Sequence, residues 1–380
     1  MKVFDVIIIG AGPAGCAAAY NLAKNGISTA VLEQKKEIGV PICCGEAISE
    51  RVLKQSGFYD DSYIDSKVKG FRVYMPNMKY FFVDTPGFLV NRDKFDKYIA
   101  SFAEKAGAKI FLRTKASAIK YSGKDFEIES GGDVFKSKIL IGADGPESLV
   151  DRTFFKNKYL LTPAFQYKLA KNSINFIADG YLAFYYDSQS DYYMWVFEKS
   201  RELNVGGGCA SKSNLDSFIS RLFGRISGKP LAFVHGYIPV SGIKKTVYKH
   251  KALLIGDAGG LVNPASLAGI YPALVSAREA ASVIVEYFRT GREKSLRKYE
   301  NRLRKYSFAN STFLNEAKSC YKYPEKILNL IGDYFVSDSF LKKDHKAFFK
   351  VSSKNPVLLK YIPRLLSHKN VFKHHRFELW

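Results

Sequence analysis

The chain has 380 residues, enough for two or three domains, and its 47% hydrophobic content is that of a globular protein. Five cysteines without a framework spacing speak against a secreted disulfide scaffold and for a reducing compartment, and no Cys or His pattern has zinc-ligand spacing. A net charge of +22 calls for an anionic partner; it is spread along the chain with no nucleic-acid motif, which leaves an anionic membrane surface, an acidic protein or a phosphorylated substrate.

In chain order, "MKVFDVIII" begins with a basic residue and an apolar run, but Asp5 interrupts it and the run is too short for a signal peptide. No stretch of about 18 apolar residues follows, so no transmembrane helix is expected and the localisation reads as cytoplasmic. Val6–Ile9 reads as a buried strand, followed by the turn Gly10-Ala11-Gly12-Pro13-Ala14-Gly15 and a helix to about Lys24. In such a GxGxxG, Gly10 permits the tight turn, Gly12 lets a pyrophosphate reach the backbone, and Gly15 lets helix and strand pack closely. The helix N-terminus turns free N–H groups toward the phosphates. "ISTAVLEQK" is the next strand, and Glu33 at its end, 18 residues after Gly15, is placed to accept hydrogen bonds from an adenosine ribose.

Next comes "PICCGEAIS", residues 41–49, with adjacent Cys43 and Cys44. Read alone, both are small apolar core residues, as free cysteines often are. "SKILIGADGPESLVDR" (137–152) is a strand ending in Asp144-Gly145. Residues 159–249 leave the strand–helix alternation: Tyr, Phe, Ile and Val enrichment with turn signals at Asp179-Gly180 and Ser188–Asp191 reads as an antiparallel sheet. "KALLIGDAGGLVNPASLAGIYPALVSAREAA" (251–281) is a strand, Gly256-Asp257-Ala258, a loop, then a helix. A strand-end Asp is placed to bind the ribityl hydroxyls of a flavin, and the following helix N-terminus can face its pyrophosphate or ring edge.

The glycine turn first, "GADG" mid-chain and "GDA" late, in that order, resemble FAD-dependent oxidoreductases of the para-hydroxybenzoate hydroxylase type. "FLVNRDKFDKYIASFAEKAGA" (88–108) fits as well, with Arg92 where that group contacts FAD. Within the group, Pro41, Cys44, Gly45 and Glu46 resemble the PxxCGE segment of geranylgeranyl reductases, and Tyr193, Trp195, Phe197 and Lys199 their YxWxFPK motif. Two departures accompany the match. Glu198 stands in place of the motif's proline, and "NPASLAGI" in place of a DPxTGGGI segment keeps Pro264, Gly269 and Ile270 but introduces Ser266, Leu267 and Ala268.

The resemblance implies an α/β (α+β) fold: a discontinuous Rossmann-like FAD domain (1–72, 88–158, 250–290), an antiparallel β-sheet substrate domain (73–87 and 159–249) and a C-terminal helical basic region (291–380). It implies FAD contacts at Gly10, Gly12, Ala14, Gly15, Glu33, Cys44, Gly45, Ala47, Arg92, Ala116, Asp144, Gly256, Asp257, Gly269 and Ile270. Cys44 would face the flavin ring, with Cys43 left to packing. Tyr193, Trp195 and Phe197 would line the substrate pocket, and Cys44, Tyr193 and Trp195 are the catalytic candidates. The implied reaction saturates C=C bonds of geranylgeranyl groups on archaeal-type membrane lipid precursors, with NADPH or a ferredoxin as reductant. A monooxygenase or halogenase of the same fold, or an FAD electron carrier, are the alternatives.

Residues 286–305 read as one charged helix with eight basic and three acidic residues, and 340–380 carry ten Lys or Arg against two acids, interleaved with Phe, Leu and Tyr. Such a mixture suits peripheral contact with an anionic lipid surface. No metal site is expected.

Overall fold

The computed structural model describes residues 1–187, 190–263, 265–310 and 323–335. In chain order it has β1 (Lys2–Ile9), α1 (Pro13–Ala23), β2 (Thr29–Leu32), β3 (Ala47–Ser49), α2 (Glu50–Gln55), β4 (Ile64–Tyr74), β5 (Tyr80–Val90), α3 (Arg92–Lys105) and β6 (Lys109–Phe111). Then come β7 (Ala118–Tyr121), β8 (Phe126–Ser130), β9 (Asp133–Gly142), β10 (Leu161–Ala170), β11 (Tyr181–Tyr185), β12 (Met194–Glu198), β13 (Glu202–Gly208) and α4 (Lys212–Phe223). β14 (Ala232–Pro239), β15 (Tyr248–Lys249), β16 (Ala252–Leu254), α5 (Ile270–Thr290), α6 (Lys294–Leu303) and α7 (Glu325–Phe335) complete it.

The first sheet runs β15-β16-β9-β1-β2-β6, with β7 and β8 attached to β9. β1 lies parallel to both β2 and β9, and the chain returns on opposite sides of it. Such a switch point opens a crevice beyond the strand C-termini, where ligands of open α/β sheets bind. The C-terminal half of β1 and all of β2 are continuous buried runs, as strands covered on both faces are. Helix α1 is built almost wholly of buried small residues, and α5 offers Ala273, Ala277, Ala280 and Ala281. Those short side chains let the two helices pack closely over β1.

The second sheet has the order β14-β10-β13-β12-β11-β4-β5-β3. Two expectations need correction here. The chain enters this sheet at β3 and stays for all of β4 and β5, so the stretch 73–87 is too narrow. A register shift between Val68 and Gly70 interrupts the alternation that would have marked β4. The sheet is also mixed rather than antiparallel, since β11 pairs parallel to β4. The single charged helix expected at 286–305 is two: α5 ends at Gly291, in the left-handed region at φ +68, and α6 begins at Lys294. Residues 340–380 lie outside the described residues, as do Pro264, Ser188 and Gln189.

One face of the second sheet is covered by α4 through Leu215, Phe218 and Ile219. The other carries Phe71, Phe184, Trp195 and Phe197. That second face looks toward the crevice of the first sheet.

Candidate active site

The glycine turn is held by sterics and by an acid. A Cβ at Gly15 would sit 1.9 Å from the Gly10 carbonyl oxygen, and Gly10, at φ +101, lies against the Ala143 carbonyl. Nothing lies within 4 Å of the Cβ position at Gly12, so that edge of the turn faces open space at the start of α1. Glu33 accepts the Ala11 N–H on one carboxylate oxygen and the Lys35 N–H on the other, both at 2.8 Å. The acid therefore anchors the turn, and each oxygen retains a lone pair.

Asp144, beyond the end of β9, accepts backbone N–H groups from Leu149 and Val150 on Oδ2, while Oδ1 is buried without a partner. Burial pushes its carboxyl up despite those bonds. Asp257 lies in the turn after β16, beside the start of α5: a Cβ on Gly269 would be 3.0 Å from its Oδ1. Burial pushes the Asp257 carboxyl up to about 6, against the pull of Arg92 and Lys244. Ala14 is drawn in too, 3.0 Å from where a Gly256 Cβ would be. An open phosphate-sized approach at a helix N-terminus, an orphaned buried carboxylate oxygen and a destabilised buried carboxylate are what a polyhydroxylated dinucleotide would satisfy. These residues fit FAD.

The loop 41–46 lies beside this crevice. Glu46 adopts the left-handed conformation at φ +71 and is fully buried. Its Oε2 accepts from Lys168 Nζ at 2.9 Å, Asn204 Nδ2 at 2.9 Å and Lys199 Nζ at 3.1 Å, and Oε1 accepts the Arg92 N–H at 3.2 Å. Lys168 also reaches Glu202 at 2.8 Å, and Lys199 donates to Asn91 Oδ1 at 2.9 Å. Burial works to raise the Glu46 carboxyl, but the ammonium groups of Lys199 and Lys168 outweigh it and hold it below its ordinary value. Arg92 spends its guanidinium on a bidentate bond to Asp96 at 2.8 and 3.0 Å, one turn along α3.

The two sequence motifs, about 150 residues apart, meet here. Alternation along β12 points Trp195, Phe197 and Lys199 at the loop. Lys199 takes Glu46, and a Cβ on Gly45 would come within 2.8 Å of Phe197 Cε2. Trp195 Nε1 donates to Gln166 Oε1 at 2.9 Å, and Gln166 Nε2 donates to the Cys44 carbonyl at 3.0 Å. Gly206 lies under the indole, where a Cβ would be 2.4 Å from Trp195 Cζ2.

Around them pack aromatic rings that would wall a substrate chamber. Phe184 packs against Tyr193 at 5.0 Å, Phe197 at 5.1 Å and Phe71 at 5.1 Å between ring centroids, and Tyr193 is 5.9 Å from Trp195. Tyr193 donates its hydroxyl to the Ser266 carbonyl, and burial pushes that phenol well up. Helix α7 packs Ile327 and Ile331 into the same cluster, pinned by Asn77, which bonds Asn329 and Asp333.

The crevice and loop thus bring together Gly10, Gly12, Ala14, Gly15, Glu33, Asp144, Gly256, Asp257, Gly269 and Ile270 with Cys44, Gly45 and Arg92. Ala47 opens β3, and Ala116 is buried in the core of the first sheet. Cys43 departs from the expected core packing: the path of the loop leaves it exposed, with its Cβ 3.9 Å from the Cβ position of Gly236. Neither cysteine is in a disulfide. Sequence reasoning missed Lys168, Asn204, Gln166 and Glu202. The available signal was Glu46, a charge in an otherwise apolar loop that demands a buried partner. Among the described residues no His, Cys, Asp and Glu group could hold a metal ion, and no helix is long and apolar enough to cross a membrane.

Residues 5–80 match the FAD binding domain family model. The chain is 34% identical over 316 residues to the digeranylgeranylglycerophospholipid reductase of Thermoplasma volcanium, covering 75% of this chain and 79% of that protein. It is 31% identical to that of Methanocaldococcus jannaschii over 96% of this chain and 98% of the relative. A geranylgeranyl bacteriochlorophyll reductase-like protein from Thermoplasma acidophilum superposes with a TM-score of 0.84 at 29% identity, over 96% of this chain and all of that one. A p-nitrophenol 4-monooxygenase from Pseudomonas putida has a TM-score of 0.73 at 17% identity over 98% of this chain and 99% of its own, a likeness of fold alone. With this identity over most of its length, the chain belongs to the digeranylgeranylglycerophospholipid reductase family and is an FAD-dependent oxidoreductase.

Proposed function

We propose that this protein saturates isolated C=C bonds in the geranylgeranyl groups of archaeal-type phospholipid precursors. The observation that carries this reading is the aromatic wall of Phe71, Phe184, Tyr193, Trp195 and Phe197, which meets the 41–46 loop where Gly45 lies against Phe197. A phenolic substrate needs polar groups to orient it; this wall is apolar, as a prenyl chain requires. FAD bound here, once reduced by the electron donor, would supply the hydride for one alkene carbon, and a proton must reach the other. In this reading Gly10, Gly12, Ala14, Gly15, Glu33 and Ala116 hold the adenosine and pyrophosphate end, and Asp144, Asp257, Gly269 and Ile270 the ribityl end. Arg92, Gly45, Ala47 and Cys44 face the ring end.

An unactivated alkene gains cationic character as it is protonated, and the faces of Trp195 and Tyr193 favour positive charge there. Tyr193 serves as wall rather than acid, since its proton is already held on the Ser266 carbonyl and burial makes it a weaker acid. Cys44, or a water in the chamber, is left as the proton donor. The basic surface suits an acidic ferredoxin as reductant, with NADPH the other candidate.

The test is anaerobic. The purified protein is reduced with dithionite and given geranylgeranylated glycerol phosphate, and the product gains hydrogen pairs in its mass spectrum. Reoxidation without any mass gain would remove the proposal.

A further inference from the structure

We propose that the outer edge of the second sheet, strand β14 with the adjoining β10, docks the enzyme onto an anionic lipid bilayer. The choice of a bilayer rests on the reading of a membrane-lipid substrate; the surface itself is read from the fold.

β14 is an edge strand, hydrogen-bonded only to β10 within its sheet. Its burial alternates in an unusual sense: the residues turned away from the cofactor crevice, Phe233, His235 and Tyr237, are the exposed ones, and two of the three are aromatic and lack charge. Phe233 is 39% exposed and Tyr237 46%, and Leu231, just before the strand, is 60% exposed. Phe165 on β10 stacks beside Phe233, with centroids 6.2 Å apart and planes at 12°, and so widens the stripe to two strands. Farther along this face α4 covers the sheet; at the edge its first residue, Lys212, reaches Phe233, while Leu231 and Tyr237 stay exposed. Contiguous apolar surface of this kind, rimmed by charge, marks an interaction site.

The charge of the chain segment that contains β14 selects the partner. From residue 217 to 256 there are seven Lys or Arg and no Asp or Glu. Of these, Lys244 is buried with Asp151, while Arg225, Lys229, Lys245 and Lys249 are exposed. Lys212, ion-paired with Asp216 at 2.6 Å, holds its ammonium 5.7 Å from the centre of the Phe233 ring. Aromatic rings that insert at headgroup depth, in a chain segment with an excess of basic side chains, match the surface of an anionic leaflet. A second copy of this chain would bring the same cations against one another.

The position also serves the reaction. Gly236 lies between the exposed side chains of β14 but points the other way, and its Cβ position is 3.9 Å from Cys43 Cβ. The edge strand therefore carries the membrane-facing stripe on one side and borders the catalytic loop on the other. A docked bilayer would lie next to the loop, so a prenyl chain would have little water to cross.

Flotation of the FAD-loaded protein with vesicles of phosphatidylglycerol and phosphatidylcholine tests this directly. The wild type should float with them, and pure phosphatidylcholine vesicles should retain at least tenfold less. Phe233→Ser/Tyr237→Ser and, separately, Lys229→Glu/Lys245→Glu should each lower the anionic partition coefficient about tenfold or more. Their flavin spectra and their turnover of detergent-dispersed substrate should be unchanged, because neither pair touches the crevice or chamber. Undiminished flotation of both variants, or no flotation of the wild type, overturns the docking surface. So does a wild-type dimer by sedimentation velocity that Phe233→Ser/Tyr237→Ser converts to monomer while flotation stays the same. Flotation that follows the pattern without any hydrogenation of the prenyl lipid would instead leave docking standing and remove the proposed reaction.

Discussion

The Glu46→Gln substitution keeps the shape of the side chain and removes the charge on which three donors converge. Lys168 is 2.9 Å from Glu46 but retains Glu202 at 2.8 Å, so it loses little. Lys199 is 2% exposed and retains Asn91, the Val90 carbonyl and, as its one counter-ion, Glu202 at 3.6 Å. Breaking a buried ion pair costs about 3–5 kcal/mol. The residual pull of Glu202 places this case at the low end, about 3 kcal/mol or roughly two decades in the folding constant. Lys199→Met leaves Glu46 with Lys168 and Asn204 and should cost about 1–2 kcal/mol. Combined with Glu46→Gln it should cost less than the sum, with a coupling of about 1–2 kcal/mol. Trp195 is one of only two tryptophans, so urea unfolding followed by its fluorescence in a Trp380→Phe background reports the sheet that holds Glu46. The sign of the pH dependence follows from the lowered Glu46 carboxyl. Its contribution is present above the unfolded-state value of about 4.3 and is lost as pH falls through the folded-state value, so acid should destabilise the parent more than Glu46→Gln. A Glu46→Gln protein within about 0.5 kcal/mol of its parent would refute the reasoning.

Three further outcomes are expected. Gly15→Ala drives a methyl into the Gly10 carbonyl, and the purified protein should lose its yellow colour, with FAD affinity by fluorescence titration down at least about 100-fold. Asp257→Asn should move two measurements in opposite directions. The folded-state carboxyl, at about 6, lies above its unfolded value, so its stabilising share is present below about 3.9 and lost as pH rises through 6. At pH 7 the apoprotein should therefore gain about 1–2 kcal/mol on substitution while FAD binds about tenfold more weakly. Tyr193→Phe should retain turnover within about threefold, since the phenol's proton is committed to the Ser266 carbonyl; a 100-fold loss with normal FAD content would make Tyr193 the acid.

The first sheet was legible because its signals are local. An apolar run, three glycines at fixed offsets and a strand-end acid mark β1, α1 and β2, and the structure gives a steric reason for Gly10 and Gly15. The second sheet was legible as β structure but not as a topology. A mixed sheet with a parallel β11–β4 pair leaves no trace in alternation, and the bulge at Gly70 hides the start of β4. Exposed Cys43 and half-buried Cys44 are adjacent residues of one type, and only the path of the loop distinguishes them. The packing of α7 into the aromatic cluster rests on Asn77 meeting Asn329 and Asp333 some 250 residues later, which no local pattern encodes.

The same distinction explains why two motifs separated by about 150 residues behave as one. Each alone is a string of side chains without a visible purpose: a glutamate in an apolar loop, a lysine at the end of an aromatic strand. A buried carboxylate requires a buried cation, and a glycine pressed against Phe197 requires a flat ring to press on. Glu46 with Lys199, Gly45 with Phe197, and Cys44 through Gln166 with Trp195 meet both requirements in three consecutive pairings, at 3.1 Å, 2.8 Å and a 3.0 Å plus 2.9 Å relay. The residues paired from the strand, 195, 197 and 199, have the two-residue period of β12, and those from the loop are 44, 45 and 46. The register of strand against loop is thus set by charge at one end and by a polar relay at the other. A slip of one residue would turn Trp195, Phe197 and Lys199 to the α4 side and leave Glu46 without Lys199. The loop beside the flavin site is therefore held in one position relative to the aromatic wall above it, as placing a prenyl chain demands when the reacting segment carries no polar group near the double bond for orientation.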